Sequence, residues 1–442
     1  MTSALELAER LRRREVSAVE LVQQAIAAIR ARDGELGAFV EVAARRAMLQ
    51  ARRADSLLKR RGEHTPFLGV PTAIKDHEPV RGLGTRMGSR AFKWVISPID
   101  GYVAKRVRNA GFVILGKTSC SELTILPFAH GERPARNPHD PSRYAGGSSA
   151  GAAAAVAAGM LSVAPGSDGG GSIRIPAAFC GLVGFKPSRG ALPNPYGVFD
   201  PIGLSSIGPL ATSVRDAAAM LDVLAERSHG SFMRALDQTL PPLRVRVLVD
   251  APLPGVATAA SHATAAHDCA LALERLGHTV SDAPRITGEL ERFLPLMARM
   301  IARVPLLPIM ERSLEPSTRW LRAQGRGVTL GDVRAIADGL TRDVDAFFGD
   351  ADIVVTPTVA QPPPHVGAFA SLDGEGTFRA AAALGAFTAP FNVSGQPAVS
   401  LPWPSTGLPI GVQLVARRGA DHRLLALAAR LQSVVGTAGP RA

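Results

Sequence analysis

The chain has 442 residues, of which 46% are hydrophobic and 20% charged, and its formal net charge is +12. That balance excludes a disordered chain, which lacks enough apolar surface to fold. The long uncharged run 145–167 is mostly alanine and glycine, unlike the roughly 20 predominantly apolar residues of a membrane span.

Residues 1–14 are charged throughout with no apolar segment, so no secretory signal is read there. Cys120, Cys180 and Cys269 are spread singly along the chain, which gives no disulfide framework and points to a reducing cytoplasm. The positive charge raises a nucleic-acid reading, but only six of the 50 basic residues are lysines and the arginines run the whole length. The densest stretch, 45–61, sits on a helical pattern and reads as a solvated face. A nucleic-acid partner is therefore not expected. Scarcity of lysine has a second use: a lysine in an apolar setting can lose its proton, which arginine cannot.

In chain order, Ser3 with Glu6 and Ser17 with Glu20 have the spacing of capping boxes at two helix starts. From residue 67 the texture changes to short apolar runs at 70–74, 112–115, 163–165 and 183–185, bounded by Gly, Pro and Asp. Such runs read as buried strands. Helical stretches at 102–110, 149–160 and 213–227 lie between them. Strands alternating with helices predict an α/β fold whose large, twisted, mixed sheet is mostly parallel and flanked by helices on both faces. Residues 229–350 read as helical apart from a strand at 245–249. Sheet texture returns at 352–357 and 411–415, and a last helix is expected over 422–434. Core segments at 67–225 and 351–434 thus flank the helical region, which favours one large domain over 1–442 to a row of modules.

Two motifs are decoys on physical grounds. Gly111 to Thr118 matches the phosphate-loop pattern G-x4-G-K-T, but its four middle residues are Phe112, Val113, Ile114 and Leu115. A phosphate loop needs a polar-tolerant turn there, not a strand. Gly147-Ser148-Ser149-Ala150-Gly151 matches a nucleophile elbow centred on Ser149, yet no apolar strand runs into it. His262 and His267 are five apart and do not share a helical face. His77 and His139 stand singly, and no metal-ligand spacing occurs, so no metal site is expected.

The informative segment is 143–190. Gly146-Gly147-Ser148-Ser149 leads into an alanine-rich helix, where the serines read as an N-cap, and Asp168-Gly169-Gly170-Gly171-Ser172 follows a strand-like stretch. Consecutive glycines allow a tight turn with exposed N–H groups, which suits a developing oxyanion. Lys75 ends the apolar run Gly69-Val70-Pro71-Thr72-Ala73-Ile74.

These segments (GGSS, DGGGSIRIPAAFCG and GVPTAIKD) resemble the amidase signature family of serine hydrolases. The resemblance extends through 5–40, 100–122, 136–142, 203–222, 352–358 and 387–432, and is weakest over about 225–350, the region that shapes substrate pockets in the family. The wording is most like the branch of bacterial amidases that contains 6-aminohexanoate cyclic-dimer hydrolases. It implies a Ser–cis-Ser–Lys triad of Ser172 as nucleophile, Ser148 as bridge and Lys75 as base. The backbone N–H groups of Gly169, Gly170, Gly171 and Ser172 correspond to the oxyanion hole, with Ser149, Asp168 and Arg174 bracing the loop. His77 departs from the family's usual asparagine and Ala150 from its glycine.

The residue types suit acyl transfer. A serine hydroxyl needs a base, a buried lysine can be neutral enough to serve, and a hydroxyl between them both donates and accepts. The reading is a small-molecule amide substrate and no cofactor, for a cytoplasmic enzyme without a membrane that could form a homodimer. An amide-forming acyl-transfer enzyme and the catalytic subunit of a tRNA-dependent amidotransferase share the same core and remain as alternatives.

Overall fold

The computed structural model describes residues 2–60, 64–129, 133–226, 229–286 and 290–435. Eight strands form the main sheet, in the spatial order Thr279–Asp282, Arg244–Val247, Ile353–Pro357, Ile410–Ala416, Ala398–Trp403, Val183–Lys186, Ser206–Ala211, Val163–Asp168. A second sheet places Val113–Thr118 between Phe39–Val42 and Pro71–Lys75.

The main sheet is mixed, but antiparallel pairing predominates. Only the first three strands run parallel to one another, and the remaining five ladders are antiparallel. The mostly parallel sheet expected from the alternation of strands and helices is therefore corrected. The cause is local: Ser206–Ala211 and Ala398–Trp403 contain Pro209 and Pro402, and a proline argues against reading a run as a central strand. Those overlooked strands supply four of the five antiparallel ladders.

Period-two alternation sorts the faces. On the paired strands Ala398–Trp403 and Ile410–Ala416, Val399, Leu401, Val412 and Leu414 enter the main core together with Leu424, Leu427 and Leu431 of the helix Asp421–Val435. Gln413, opposite Ser400, points the other way and meets Arg174 at the start of the helix Arg174–Cys180. Burying this apolar face stabilises the fold by about 25 cal/mol for each Å² withdrawn from water.

At the helix starts, Ser17 and Glu20 complete a capping box. The Ser3 box is half-formed: Ser3 Oγ accepts from the Glu6 N–H and donates instead to Asp216. The helix expected over 213–227 is Val214–Leu224, and Arg227 lies outside the described residues. Region 229–350 contributes the strands Arg244–Val247 and Thr279–Asp282 as well as helices. Its helices Leu290–Ala302, Pro316–Gly325 and Leu330–Phe348 share a separate apolar cluster containing Leu296, Leu321 and Val333.

The two sheets abut edge to edge. Thr72 Oγ1, on the edge strand Pro71–Lys75, donates to the carbonyl of Val163 on the edge strand Val163–Asp168 at 2.8 Å. Lys75 and Ser167 therefore sit near one end of this seam.

Candidate active site

Lys75 is 1% exposed. Its Nζ donates to Ser148 Oγ at 2.8 Å and to Ser167 Oγ at 2.9 Å. Burial pushes its pKa down to about 8, against the opposing pull of charge on Asp168 and Glu78. Ser148 is fully buried and follows a cis Gly147–Ser148 peptide bond. Ser172 is half-buried on the cavity wall, and its carbonyl accepts from the Ser149 N–H at 3.1 Å, which ties the two serine segments together.

Ser149 occupies the N-cap position of Ala150–Ala157 but makes no side-chain cap there. Its hydroxyl faces the backbone of Ser167 at 3.3–3.4 Å instead. The N-cap reading of the serine pair is thus corrected, and the Ser149 hydroxyl is turned inward, where a nucleophile elbow would expose it.

The loop after Val163–Asp168 is organised by one carboxylate. Asp168 accepts from the N–H groups of Gly171 at 2.7 Å and Ile173 at 3.1 Å, and from Arg174 Nε at 3.0 Å and Nη2 at 2.9 Å. Burial alone would raise its pKa, but the Arg174 charge and hydrogen bonds from Arg174 and Asn392 hold it well below the usual carboxylate range. The fully buried Arg174 reaches on to the Thr388 carbonyl at 3.1 Å and Gln413 Oε1 at 2.7 Å. Of the four loop N–H groups expected to face an oxyanion, that of Gly171 is engaged by Asp168. Gly171 has a geometric duty instead: its φ is +125°, and a Cβ there would lie 2.2 Å from Thr388 Oγ1.

Sequence reasoning missed Ser167 and Tyr196. Ser167 directly precedes Asp168 on the seam strand, so its neighbourhood was a usable signal. Tyr196 is one of only three tyrosines but lies in no motif. Its hydroxyl donates to Glu78 Oε1 and accepts from His77 Nε2 at 2.8 Å. That arrangement selects the Nε2–H tautomer of His77 and leaves Nδ1 buried without a partner. Burial and the nearby Lys75 and Lys117 charges keep the His77 pKa well below its ordinary value, so the ring is neutral at pH 7.

The discounted motifs have structural explanations. Lys117 lies in the fully buried strand Val113–Thr118 and donates to the carbonyls of Asp76, Glu78 and Gly84 at 3.2, 2.6 and 2.9 Å. His262 is buried and His267 exposed on one helix, and His139 Nε2 faces the Cys180 carbonyl at 3.2 Å. Among the described residues no cluster of three or more His, Cys, Asp or Glu could hold a metal ion, and no helix is long and apolar enough to cross a membrane.

A serine–lysine contact lies at the seam between the two sheets, beside a glycine loop pinned by a buried carboxylate. The sequence model for Amidase matches residues 20–304 and 289–425, and the chain belongs to that family. AmiB2 of Mycobacterium tuberculosis, which bears an amidase name, is 37% identical over 415 residues, covering 91% of this chain and 89% of the relative. The 6-aminohexanoate-cyclic-dimer hydrolase of a Pseudomonas species is 35% identical, covering 97% and 94%. Among solved structures, 6-aminohexanoate cyclic dimer hydrolase complexed with substrate superposes with a TM-score of 0.88 at 33% identity, over 98% of this chain and 97% of that one. The chain is an amide hydrolase with the amidase-signature fold.

Proposed function

We propose that this enzyme hydrolyses carboxylic amides through a Ser172–Ser148–Lys75 relay and an acyl-enzyme on Ser172. The observation that carries the reading is the buried Lys75 ammonium, whose pKa falls to about 8 and whose Nζ is 2.8 Å from the Ser148 hydroxyl. Above that pKa Lys75 is neutral. Ser172 Oγ then attacks the carbonyl carbon, its proton passes to Ser148, and the Ser148 proton passes to Lys75. The oxyanion is stabilised by N–H groups of the glycine loop. When the C–N bond breaks, the nitrogen takes a proton from Ser148, which recovers one from Lys75. Water repeats the sequence on the ester, giving the carboxylic acid and restoring Ser172.

Side chains and backbone handle each proton and bond, so neither metal nor organic cofactor enters. The kinship with the 6-aminohexanoate-cyclic-dimer hydrolase favours an unactivated alkyl amide as substrate. Three buried, unpaired thiols fit a reducing cytoplasm.

The test is Ser172→Ala with a serine-reactive fluorophosphonate probe. The variant should keep its circular dichroism spectrum and lose about 10³-fold or more of its amidase rate, and probe mapping of the unmodified enzyme should mark Ser172. Labelling of Ser149 would overturn the assignment.

A further inference from the structure

Ser172 stands where two clefts meet, and Gly169 and Ser172 line both. The first cleft is walled by Phe293, Leu340, Phe378, Ala382 and Val393. The second is walled by Met87, Phe92, Met300, Ile301 and Val304, with Ser148, Ser167 and Tyr196 beside Ser172. Ser148 lines the second cleft and not the first.

This asymmetry sets a direction for the substrate. As the C–N bond breaks, the nitrogen must receive a proton, and in the relay that proton comes from Ser148. The nitrogen and the group it carries must then point toward the cleft that Ser148 lines. The acyl carbon's substituent, on the other side of the carbonyl, is left with the first cleft.

Charge narrows the class further. Arg292 and Asp343 in the first wall are paired with each other at 2.8 Å. Asp200 in the second accepts from the N–H groups of Leu204 at 2.9 Å and Ser205 at 2.6 Å. His77 is neutral. Among the described lining residues each charged side chain is already engaged by a partner, and burying a further charge without one is costly.

We infer that the acyl group occupies the Phe378 cleft and the leaving amine the Met300 cleft, and that preferred substrates are uncharged secondary amides with apolar groups on both sides of the scissile bond. The inference rests on the relay proposed above. A primary amide would release ammonia and leave the second cleft unfilled.

The experiment uses two ladders of amides, one lengthening the acyl chain from acetyl to decanoyl and one lengthening the N-alkyl group from methyl to octyl. For the unmodified enzyme kcat/KM should climb along both, by up to about four-fold per methylene buried. Ala382→Trp should cut the acyl ladder short and leave the slope of the amine ladder. Val304→Trp should flatten the amine ladder and leave that of the acyl ladder. Ala389→Phe and Met300→Trp repeat the comparison if either first variant lacks a native circular dichroism spectrum. Ladders that respond to the opposite cleft overturn the orientation, and flat ladders in the unmodified enzyme overturn the substrate class. Each protein is also treated with 4-nitrophenyl hexanoate and mapped by mass spectrometry. An acylated Ser172 with swapped ladders sinks the orientation alone, whereas no acyl group on Ser172 sinks the relay and this inference together.

Discussion

Six lysines serve a chain that uses arginine almost everywhere else, and three of them, Lys75, Lys117 and Lys186, are buried. Lysine scarcity thus selects three positions, and geometry separates them. Lys117 is held by three carbonyls, and Lys186 donates to the carbonyl of Pro187 at 2.8 Å, whereas Lys75 meets two hydroxyls. Only hydroxyl partners can both accept from the ammonium and return a proton to the amine. The acylation rate should therefore rise with pH through about 8, where Lys75 becomes neutral, and level off above it. Single-turnover rates of a chromogenic anilide from pH 6 to 10 check this, read against about 10.4 for a free lysine. Lys75→Arg keeps the charge without a usable base and should be as inactive as Lys75→Ala, a loss of about 10²–10⁴-fold. Near-normal turnover of a folded Lys75→Arg enzyme would remove the lysine from the chemistry.

At the scale of elements, the loop between Val163–Asp168 and Arg174–Cys180 is shaped less by its own glycines than by Asp168. That carboxylate gathers three backbone N–H groups and a guanidinium that is itself anchored on Thr388, Asn392 and Gln413. Asp168→Asn leaves the Arg174 charge buried with its counter-ion gone and should cost about 3–5 kcal/mol, read from urea unfolding, and it should disorder the donors for the oxyanion. The sign of the pH effect follows from the depressed folded pKa. Asp168's contribution is complete above the ordinary carboxylate range and disappears only as pH falls through that lower value. Stability unaffected by Asp168→Asn would show that the pair does not brace the loop.

Legibility in the sequence also divides at this scale. Motif-borne residues such as Lys75, Ser148 and Asp168 could be singled out because glycine runs and a strand end mark them. Strand Pro71–Lys75 was nearly bounded by its apolar run. Ser206–Ala211 and Ala398–Trp403 were hidden by their prolines, so the sheet's direction was misread even though its class was not. The Ser148–Ser149 pair shows a different limit: a hydroxyl at a helix start predicts a cap, and only the neighbouring strand reveals that Ser149 has a tertiary partner.

For the whole molecule, the least legible region is the one that completes the clefts. Phe293, Met300 and Leu340 come from helices whose apolar faces carry no chemistry-bearing motif. A stripe of Met, Leu and Phe reads the same whether it faces a core or a substrate. Part of the positive charge lies away from the clefts, where Arg52, Arg53 and Arg60 are exposed on or just beyond the helix Ala44–Leu58.

Arg174 also sets an order in time. Its anchors at 388, 392 and 413 lie more than two hundred residues downstream, so a nascent chain holds Lys75, Ser148 and Ser172 long before the clamp beside Ser172 can close. Hydrolysis should then have to wait until residue 413 has been translated, and fragments released before that point should be inert. Separate expression of 1–385 and 386–442 gives the check: each piece silent alone, with turnover regained only on mixing. An active 1–385 fragment would show that the nucleophile loop assembles without those anchors.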